Sequence, residues 1–258
     1  MDLAFAGIAR IRTASPHKSN VLCEFCNATT AAYEVRLTDA EIDTEGYQQA
    51  KHCEALLGKY GVTTCAVGKR SKADAEKTYR VMLEVIKYRK TILADEEERT
   101  GKVRLLDVGC GPSFLYEYML NSGIENVEYT GLDISEKFIH LAKSRFPSNI
   151  YYCLDILDEG AEIPHFDYVV MNSIFTQKLG LSFEEMFSYF KKVVRRAFNY
   201  ADRGIAFNAM SKQVDWERED LFHLPIDILA GFLTKELTRK FVIRNDYGLF
   251  EYTTYVYK

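Results

Sequence analysis

The feature that most constrains the fold of this chain is an apolar segment that runs into a glycine-containing turn and then into a helical pattern. Residues 103–108 read Val-Arg-Leu-Leu-Asp-Val, and residues 109–113 read Gly-Cys-Gly-Pro-Ser. Glycine lacks a Cβ atom and adopts positive φ readily, so this turn allows main-chain N–H groups to face a bound molecule. Many ordinary strand-to-helix turns contain two glycines, so the turn indicates a ligand site only in combination with further polar residues at suitable distances along the chain.

Polar side chains follow three more apolar segments along the chain. Asp133 ends one β-rich segment, Asp155 follows a second and Asn172 follows a third. In a doubly wound sheet the carboxyl ends of the strands border one crevice, and a carboxylate about 20 residues after the glycine turn accepts hydrogen bonds from ribose hydroxyls. Each residue alone has a simpler explanation, such as a helix cap or a turn. Taken as an ordered series, they predict a ligand site at one edge of a sheet.

These motifs resemble those of the class I S-adenosylmethionine-dependent methyltransferases from about residue 100 to the end of the chain. Nicotinamide and flavin enzymes have a longer loop with a third glycine, Gly-x-Gly-x-x-Gly. That third glycine is absent here, and Leu115 or Tyr116 stands near its position. The resemblance therefore implies S-adenosylmethionine as the cofactor. The cofactor-binding residues that it implies are Asp107, Gly109, Cys110, Gly111, Asp133, Ile134, Asp155, Ile156 and Asn172.

The resemblance also implies a role for several of these residues. The two glycines approach the methionine moiety, and Asp107 supports its amino group. Asp133 holds the ribose, and Asp155 and Ile156 lie beside the adenine.

The fold class that we predict is α/β, with a doubly wound, Rossmann-like sheet of seven mostly parallel strands. The core pattern continues with helices over 182–200 and 224–237 and a strand over 203–209. The chain ends in a hairpin of strands over 240–244 and 249–257, whose last strand is antiparallel, as in the family that the motifs resemble.

The first hundred residues lack the β–α alternation and predict an irregular and helical cap. Helices are expected over 39–60 and 72–93, the second with one apolar stripe. We therefore divide the chain into a cap at 1–100 and a cofactor-binding core at 101–258.

Composition excludes several classes of protein. The 258 residues are 47% hydrophobic, which suits one large α/β domain with an appended segment. A formal net charge of −4 argues against a partner bound mainly through nucleic-acid phosphates. No apolar segment approaches the roughly 20 residues of a membrane helix, and no export leader is evident, so we predict a cytoplasmic protein with no membrane partner. The oligomeric state is left open.

The cysteines offer one alternative site. Cys23 and Cys26 form a C-x-x-C pair with His52, Cys53 and Cys65 downstream, a pattern that supplies half of a tetrahedral zinc site. A second C-x-x-C pair is absent from the sequence, and reduced thiols are the simpler explanation in a chain with no export leader. We predict no metal, and the zinc alternative stays open.

The chemistry implied by the resemblance is an in-line displacement, which requires the acceptor atom to be held about 3 Å from the methyl group. The long connection after the fifth core strand carries the single tryptophan of the chain together with titratable groups. Histidine is the residue type whose unperturbed side chain titrates near neutrality, so His223 is a candidate general base, or else caps the next helix. The predicted catalytic residues are Asn172, Asp215 and His223, and the predicted substrate-binding residues are Tyr79, Ser173, Phe175 and Trp216.

The expected reaction is methyl transfer to an oxygen or nitrogen of a small molecule that is a sugar, nucleotide-linked or amino-acid-like. The family's Asn-Pro-Pro-Tyr tetrad, which binds planar amides and exocyclic amines, is absent after the fourth strand, where Met171-Asn172-Ser173-Ile174 stands, so such substrates are disfavoured. Three alternatives remain: a catalytically silent protein-binding scaffold, a nicotinamide-dependent oxidoreductase and an RNA methyltransferase. Only the last finds support in a basic run, at residues 191–196.

Overall fold

The computed structural model describes residues 20–22, 29–31, 45–63, 71–92 and 101–258. The chain divides into two compact units, 1–42 and 43–258. In the first unit, strands β1 (Asn20–Leu22) and β2 (Thr29–Ala31) pair antiparallel.

The zinc alternative depends on Cys23, Cys26 and Cys65, which lie outside the described residues. Within the described residues, no group of three or more His, Cys, Asp or Glu side chains is arranged to hold a metal ion. The described helices also include none that is both long enough and apolar enough to span a bilayer.

The second unit alternates strands and helices from residue 103 onward, as the sequence predicts. Its helices are α1 (Glu45–Tyr60), α2 (Lys72–Leu83), α3 (Val85–Ile92), α4 (Phe114–Asn121), α5 (Glu136–Arg145), α6 (Phe183–Tyr200) and α7 (Ile226–Glu236). Its strands are β3 (Val103–Val108), β4 (Val127–Asp133), β5 (Ile150–Cys153), β6 (Phe166–Met171), β7 (Ala201–Ser211), β8 (His223–Leu224), β9 (Phe241–Arg244) and β10 (Glu251–Tyr257).

The strands form one sheet in the order β5-β4-β3-β6-β7-β10-β9, with β8 beside β7. Strands β3 to β7 pair in parallel, and β10 pairs antiparallel with both β7 and β9. The order reverses between β3 and β6, where a doubly wound sheet opens its ligand crevice. The predicted fold class is confirmed, with a two-residue eighth strand that was not predicted.

The sheet is covered on both faces, which explains the continuous apolar character of its parallel strands. Helices α6 and α7 pack on one face around a cluster of aromatic rings that includes Phe175, Phe190 and Phe207. Helices α2, α4 and α5 cover the other face. Helix α6 begins with a capping box, in which Ser182 and Glu185 exchange hydrogen bonds with each other's main-chain N–H groups.

The predicted helix over 72–93 is in fact two helices that meet at Glu84. Near the break, the carbonyl of Val81 accepts a hydrogen bond from the hydroxyl of Tyr255, and the carbonyl of Val85 accepts one from Tyr257 at 3.0 Å. Hydroxyls that enter the ladder of helical hydrogen bonds in this way break or kink a helix. Both tyrosines lie on β10, so this break is set by tertiary contacts that the helical periodicity does not contain.

Gly131 on β4 gives a test of how closely this fold is packed. A Cβ atom at Gly131 would lie 2.7 Å from Cδ1 of Tyr151 and 2.9 Å from Sγ of Cys110. We expect Gly131→Ala to lower the free energy of unfolding by about 1–3 kcal/mol through overpacking. The measurement is urea denaturation of the purified protein.

Gly231 in α7 is the matched control, because a Cβ atom there meets no other atom within 4 Å. Gly231→Ala should raise stability by about 0.5–1 kcal/mol, since alanine favours helix interiors. Equal effects of the two substitutions would contradict the packing at Gly131.

Candidate functional site

The turn between β3 and α4 requires its two glycines. Gly109 and Gly111 have φ of 72° and 51°, in the left-handed region that glycine adopts without strain. A Cβ atom at Gly109 would lie only 2.3 Å from Cγ2 of Ile174. The turn is therefore shaped by close approach of the loop after β6.

The N–H groups of this turn bond within the protein. The amides of Gly109 and Cys110 donate to the carbonyl of Leu132 at 2.8 and 3.0 Å, and the amide of Ser113 donates to the carbonyl of Cys110 at 2.9 Å. The amide of Gly111 donates to Oδ2 of Asp133 at 2.8 Å. Pro112 has no N–H group. Each N–H group between residues 109 and 113 therefore already has a partner within the protein, and the expectation that these amides face a ligand is wrong for this turn. The turn offers a close approach to main chain, and its donors are already satisfied.

Asp133 joins the end of β4 to the glycine turn and to α5. Its Oδ2 accepts from Gly111, and its Oδ1 accepts from the amide of Ser135 at 2.9 Å. Burial raises the pKa of Asp133 to about 6, against the lowering effect of these N–H donors. Glu54 of α1, which bonds to the Ser135 hydroxyl, adds a second negative charge nearby.

A cleft opens along the carboxyl ends of β3 to β6, beside Asp133. We call its larger part the main cleft and its smaller part the side pocket; they share Gly109, Asn172 and Ser173. The main cleft encloses about 990 Å³ of space that is partly open to solvent. Besides the shared residues, its wall includes the predicted residues Gly111, Asp133, Ile134, Asp155 and Ile156. The side pocket is completed by Tyr79, Asp107, Cys110, Phe114 and Leu115.

Asp107 is the most strongly perturbed carboxyl group of the site. It lies at the end of β3 with 2% of its surface exposed, and Oδ2 accepts a hydrogen bond from the Tyr129 hydroxyl at 2.8 Å. Burial raises the pKa of Asp107 to about 7, the Tyr129 hydrogen bond opposes this rise, and the charge of Asp133 adds to it. A cationic group placed beside Asp107 would restore its charged form.

The loop after β5 presents Asp155 and Ile156 to the main cleft. Oδ1 of Asp155 accepts from the amide of Leu157 at 2.8 Å, and burial raises the pKa of this carboxyl group despite that bond. Arg196 of α6 fixes the same loop by donating to the carbonyls of Ile156 and Asp158 at 3.1 and 2.9 Å. Arg196 belongs to the basic run at residues 191–196, so at least this member of the run stabilises a loop of the fold.

The turn after β6 places Asn172 and Ser173 between the two parts of the cleft. Ser173 has a φ of 68°, an uncommon value for a residue other than glycine. Its amide donates to Oδ1 of Asn208 at 2.6 Å, and Asn208 on β7 is fully buried. A buried side chain thus holds the turn in its strained conformation.

Four predicted site residues do not line the cleft. Phe175 is fully buried in the aromatic cluster of the α6 face. Asp215 and Trp216 are exposed on the loop after β7, with 70% of the tryptophan accessible. His223 is buried in β8, and its two ring nitrogens are both bonded within the loop.

The hydrogen bonds of His223 do not support a general base. The amide of Arg218 donates to Nε2 at 3.2 Å, so Nε2 is the unprotonated nitrogen. Nδ1 then donates its proton to the carbonyl of Ser211, at 2.6 Å. With its lone pair occupied, the imidazole closes the loop between β7 and β8.

One wall of the main cleft was missed by sequence reasoning. Helix α1 contributes Gly46, Gln49, Ala50 and Cys53, and Tyr189 of α6 also lines the cleft. The amide group of Gln49 donates to the carbonyl of Gln177 at 3.1 Å, which ties α1 to the loop after β6. The spacing of 46, 49, 50 and 53 follows one helical face of small or uncharged residues, the signal that was available in the sequence.

The cleft has a distinct electrostatic character. Among the described residues that line its two parts, three are the aspartates at 107, 133 and 155, and none is Lys, Arg or His. Such a lining favours a ligand with positive charge and no phosphate, because buried anions need a compensating cation or free N–H donors.

Comparison with known proteins agrees with this geometry. Residues 106–197 match the family described as methyltransferase domain. Rv1506c of Mycobacterium tuberculosis, which is named as a methyltransferase, is 27% identical over 157 residues that cover 59% of this chain and 91% of that protein.

The fold is also shared with solved structures. The plantazolicin methyltransferase BpumL in complex with SAH superimposes with a TM-score of 0.53 at 14% identity, covering 83% of this chain and 97% of that one. A second complex of BpumL, with a monoazolic desmethylPZN analog and SAH, gives 0.54 at 15% identity, with 81% and 95% covered.

The residues that match the family model include the glycine turn and the polar ends of β4, β5 and β6. The strand order of the sheet agrees with this match. Residues 106–197 of this chain therefore match a methyltransferase domain, and the sheet around them has the fold of the S-adenosylmethionine-dependent methyltransferases.

Proposed function

We propose that this protein transfers a methyl group from S-adenosylmethionine to an oxygen or nitrogen of a small molecule. The observation that supports the cofactor best is the glycine turn, whose N–H groups are all bonded within the protein between residues 109 and 113. A dinucleotide pyrophosphate depends on such N–H groups. This cleft offers it neither free turn amides nor a cationic side chain among its described lining residues.

The residues present fit S-adenosylmethionine, which when bound supplies a methyl group activated by a sulfonium. Asp107 would receive the ammonium of its amino-acid end, and the carboxylate of Asp133 still has lone pairs for ribose hydroxyls beside its two amide bonds. Ile134, Asp155 and Ile156 would border the adenine. The net positive charge of this cofactor matches the three aspartates of the cleft.

The acceptor class that we propose is a sugar, nucleotide-linked or amino-acid-like molecule. Tyr79, Asn172 and Ser173 line the side pocket and are the polar groups available to orient it. The end that reacts should be neutral or cationic, because a phosphate or carboxylate there would face Asp107. Orientation and exclusion of water are then the main contributions of the protein to an in-line displacement.

We also propose that helices α1 to α3, which precede residue 101, form a cap on the cofactor-binding core. The position of the α1 residues in the wall of the main cleft supports a covering role. The boundary at residue 100 stays a prediction.

The basic run on α6 gives little support to an RNA substrate. Arg195 pairs with Glu236, and Lys191 lies 4.9 Å from the centre of the Phe187 ring. Arg196 is bonded to carbonyls of the loop after β5. These groups are therefore already engaged in the fold, and the overall charge of −4 disfavours phosphate binding further.

The direct test is calorimetric titration of S-adenosylhomocysteine into the protein and into an Asp133→Ala variant. We expect micromolar binding to the wild type and a loss of at least about tenfold in the variant, because charge-assisted hydrogen bonds are lost. Asp133→Asn, which keeps one acceptor oxygen, should fall between the two.

Asp227 provides the control, since it is exposed on α7 and absent from the cleft lining. Asp227→Ala should bind like the wild type. Thermal unfolding of each variant separates loss of binding from loss of fold. No heat of binding with the folded wild type would refute the proposed function.

Asp107 leads to a second prediction, on stability without ligand. Its pKa is about 7 in the folded protein and 3.8 ordinarily, so the folded state binds more protons than the unfolded state between these values. The contribution of this group to the free energy of unfolding therefore falls as the pH rises from about 4 to 7, because the buried group must ionise. This loss of stability remains at every pH above about 7. Asp107→Asn removes this cost, so it should raise the melting temperature most above about pH 7 and progressively less as the pH is lowered toward about 4.

Differential scanning fluorimetry across this pH range is the measurement. A variant that is less stable than the wild type at every pH would contradict the burial penalty at Asp107.

His223 leads to a third prediction. His223→Ala should lower the free energy of unfolding by about 1–3 kcal/mol, because it leaves the Ser211 carbonyl and the Arg218 amide without their partner. Binding of S-adenosylhomocysteine and the pH dependence of methyl transfer should be unchanged. A turnover rate that lost its dependence on pH near neutrality would restore the catalytic role.

A further inference from the structure

Asp107 lies in a row of residues that crosses three strands on the α4 face of the sheet. Asp107 of β3 is opposite Gly131 of β4, and Gly131 is opposite Tyr151 of β5. Tyr129 precedes Gly131 by two residues, so its side chain projects from the same face of β4. Because Gly131 has no side chain, the space above it is left to neighbouring groups.

The side chain of Tyr129 contacts Asp107 on this face of the sheet. Its hydroxyl donates to Oδ2 of Asp107 at 2.8 Å, and both residues are less than 5% exposed. The Tyr129 ring packs against the rings of Tyr116 and Tyr151, with centroids 4.9 and 6.5 Å away. The direction of the hydroxyl is therefore fixed by packing, and the hydrogen bond depends little on solvent.

The other oxygen of Asp107 is left for a ligand. No described side chain or turn amide donates to Oδ1 of Asp107, and the residue lines the side pocket next to Gly109 and Asn172. The second polar contact of the Tyr129 hydroxyl, to Oγ of Ser113 at 3.4 Å, is much longer than its bond to Asp107. The Tyr129 hydroxyl has one proton to donate, and it donates this proton in the hydrogen bond to the Asp107 carboxyl group.

We propose that Tyr129 is a positioning residue, whose hydroxyl favours the ionised form of Asp107 and orients the carboxylate so that its other oxygen receives the ammonium group of the cofactor. This inference rests on the proposed function for its ligand. The hydrogen bond itself is a property of the protein without ligand.

The surroundings of Asp107 explain why such a donor is needed. Burial favours the neutral carboxyl group, and Asp133 at the end of β4 opposes ionisation further by its charge. Tyr79 of α2 and Cys110 of the turn also face Asp107, and burial raises the pKa of both, so they stay neutral. Of these four groups around Asp107, only the Tyr129 hydroxyl favours the carboxylate.

The first measurement is a pH titration of the aspartate side-chain carboxyl carbons by NMR, in protein labelled with ¹³C at those atoms and without ligand. Asp107→Asn identifies the Asp107 signal by its disappearance. In Tyr129→Phe this signal should titrate at distinctly higher pH than in the wild type. Tyr151→Phe is the matched control, because its hydroxyl bonds to Ser113 and Asn149 and does not contact Asp107.

The second measurement is binding of S-adenosylhomocysteine by calorimetry over the same pH range. Wild-type affinity should rise as pH rises through about 7, because the carboxylate forms in that range. Tyr129→Phe should bind about tenfold more weakly near pH 6.5 and approach the wild type at high pH, because its carboxylate forms later. The amino group of the ligand titrates equally in all experiments, so it cancels between proteins.

The outcomes separate the two proposals. If the folded wild type binds no S-adenosylhomocysteine at any pH, the proposed function fails, and the NMR titration still decides whether Tyr129 controls the ionisation of Asp107. An Asp107 signal that titrates alike in Tyr129→Phe and the wild type overturns the inference. Equal weakening of binding at every pH, with a lowered melting temperature, also overturns it, since that is the signature of a merely structural residue.

Discussion

The pair of hydrogen bonds that Asp133 accepts is the interaction on which the site depends. One carboxylate fixes the glycine turn through Gly111 and the start of α5 through Ser135. The end of β4, the turn after β3 and the helix that follows β4 are thereby held in one arrangement. The same carboxylate lines the main cleft, so the group that shapes the site also faces its ligand. Its loss therefore affects geometry and charge together, and this is why the asparagine variant is more informative than alanine.

Much of this molecule follows from sequence patterns, and the exceptions share one physical cause. The glycine turn, the polar strand ends and the antiparallel last strand are local signals, and each was placed correctly at the crevice or in the sheet. The break at Glu84, the short strand β8 and the wall formed by α1 arise from contacts between distant parts of the chain. His223 and Trp216 were chosen because of their residue types, and residue type does not reveal whether a ring nitrogen is occupied or an indole is exposed.

The chemistry of the cleft is set by carboxylates that are difficult to ionise. Burial raises the pKa of Asp107 to about 7 and that of Asp133 to about 6, and it also raises the pKa of Asp155, so ionisation of each carboxyl group is less favourable here than in water. A cationic ligand favours the ionised carboxylates, because its positive charge compensates negative charges that no cationic side chain of the described lining compensates. Selectivity for such a cofactor over a phosphate-bearing one then follows from the absence of cationic side chains in the described lining, together with turn amides that are already bonded.

The tyrosine hydroxyls that enter the break between α2 and α3 have a consequence for synthesis on the ribosome. Helix α2 carries Tyr79, which belongs to the side pocket, but its carbonyls and those of α3 are held by Tyr255 and Tyr257 of β10. Those contacts link positions more than 170 residues apart. Domains generally fold as units during synthesis, so these contacts form only once β10 has left the ribosome. The wall that carries Tyr79 therefore reaches its final place only after the last strand has been translated.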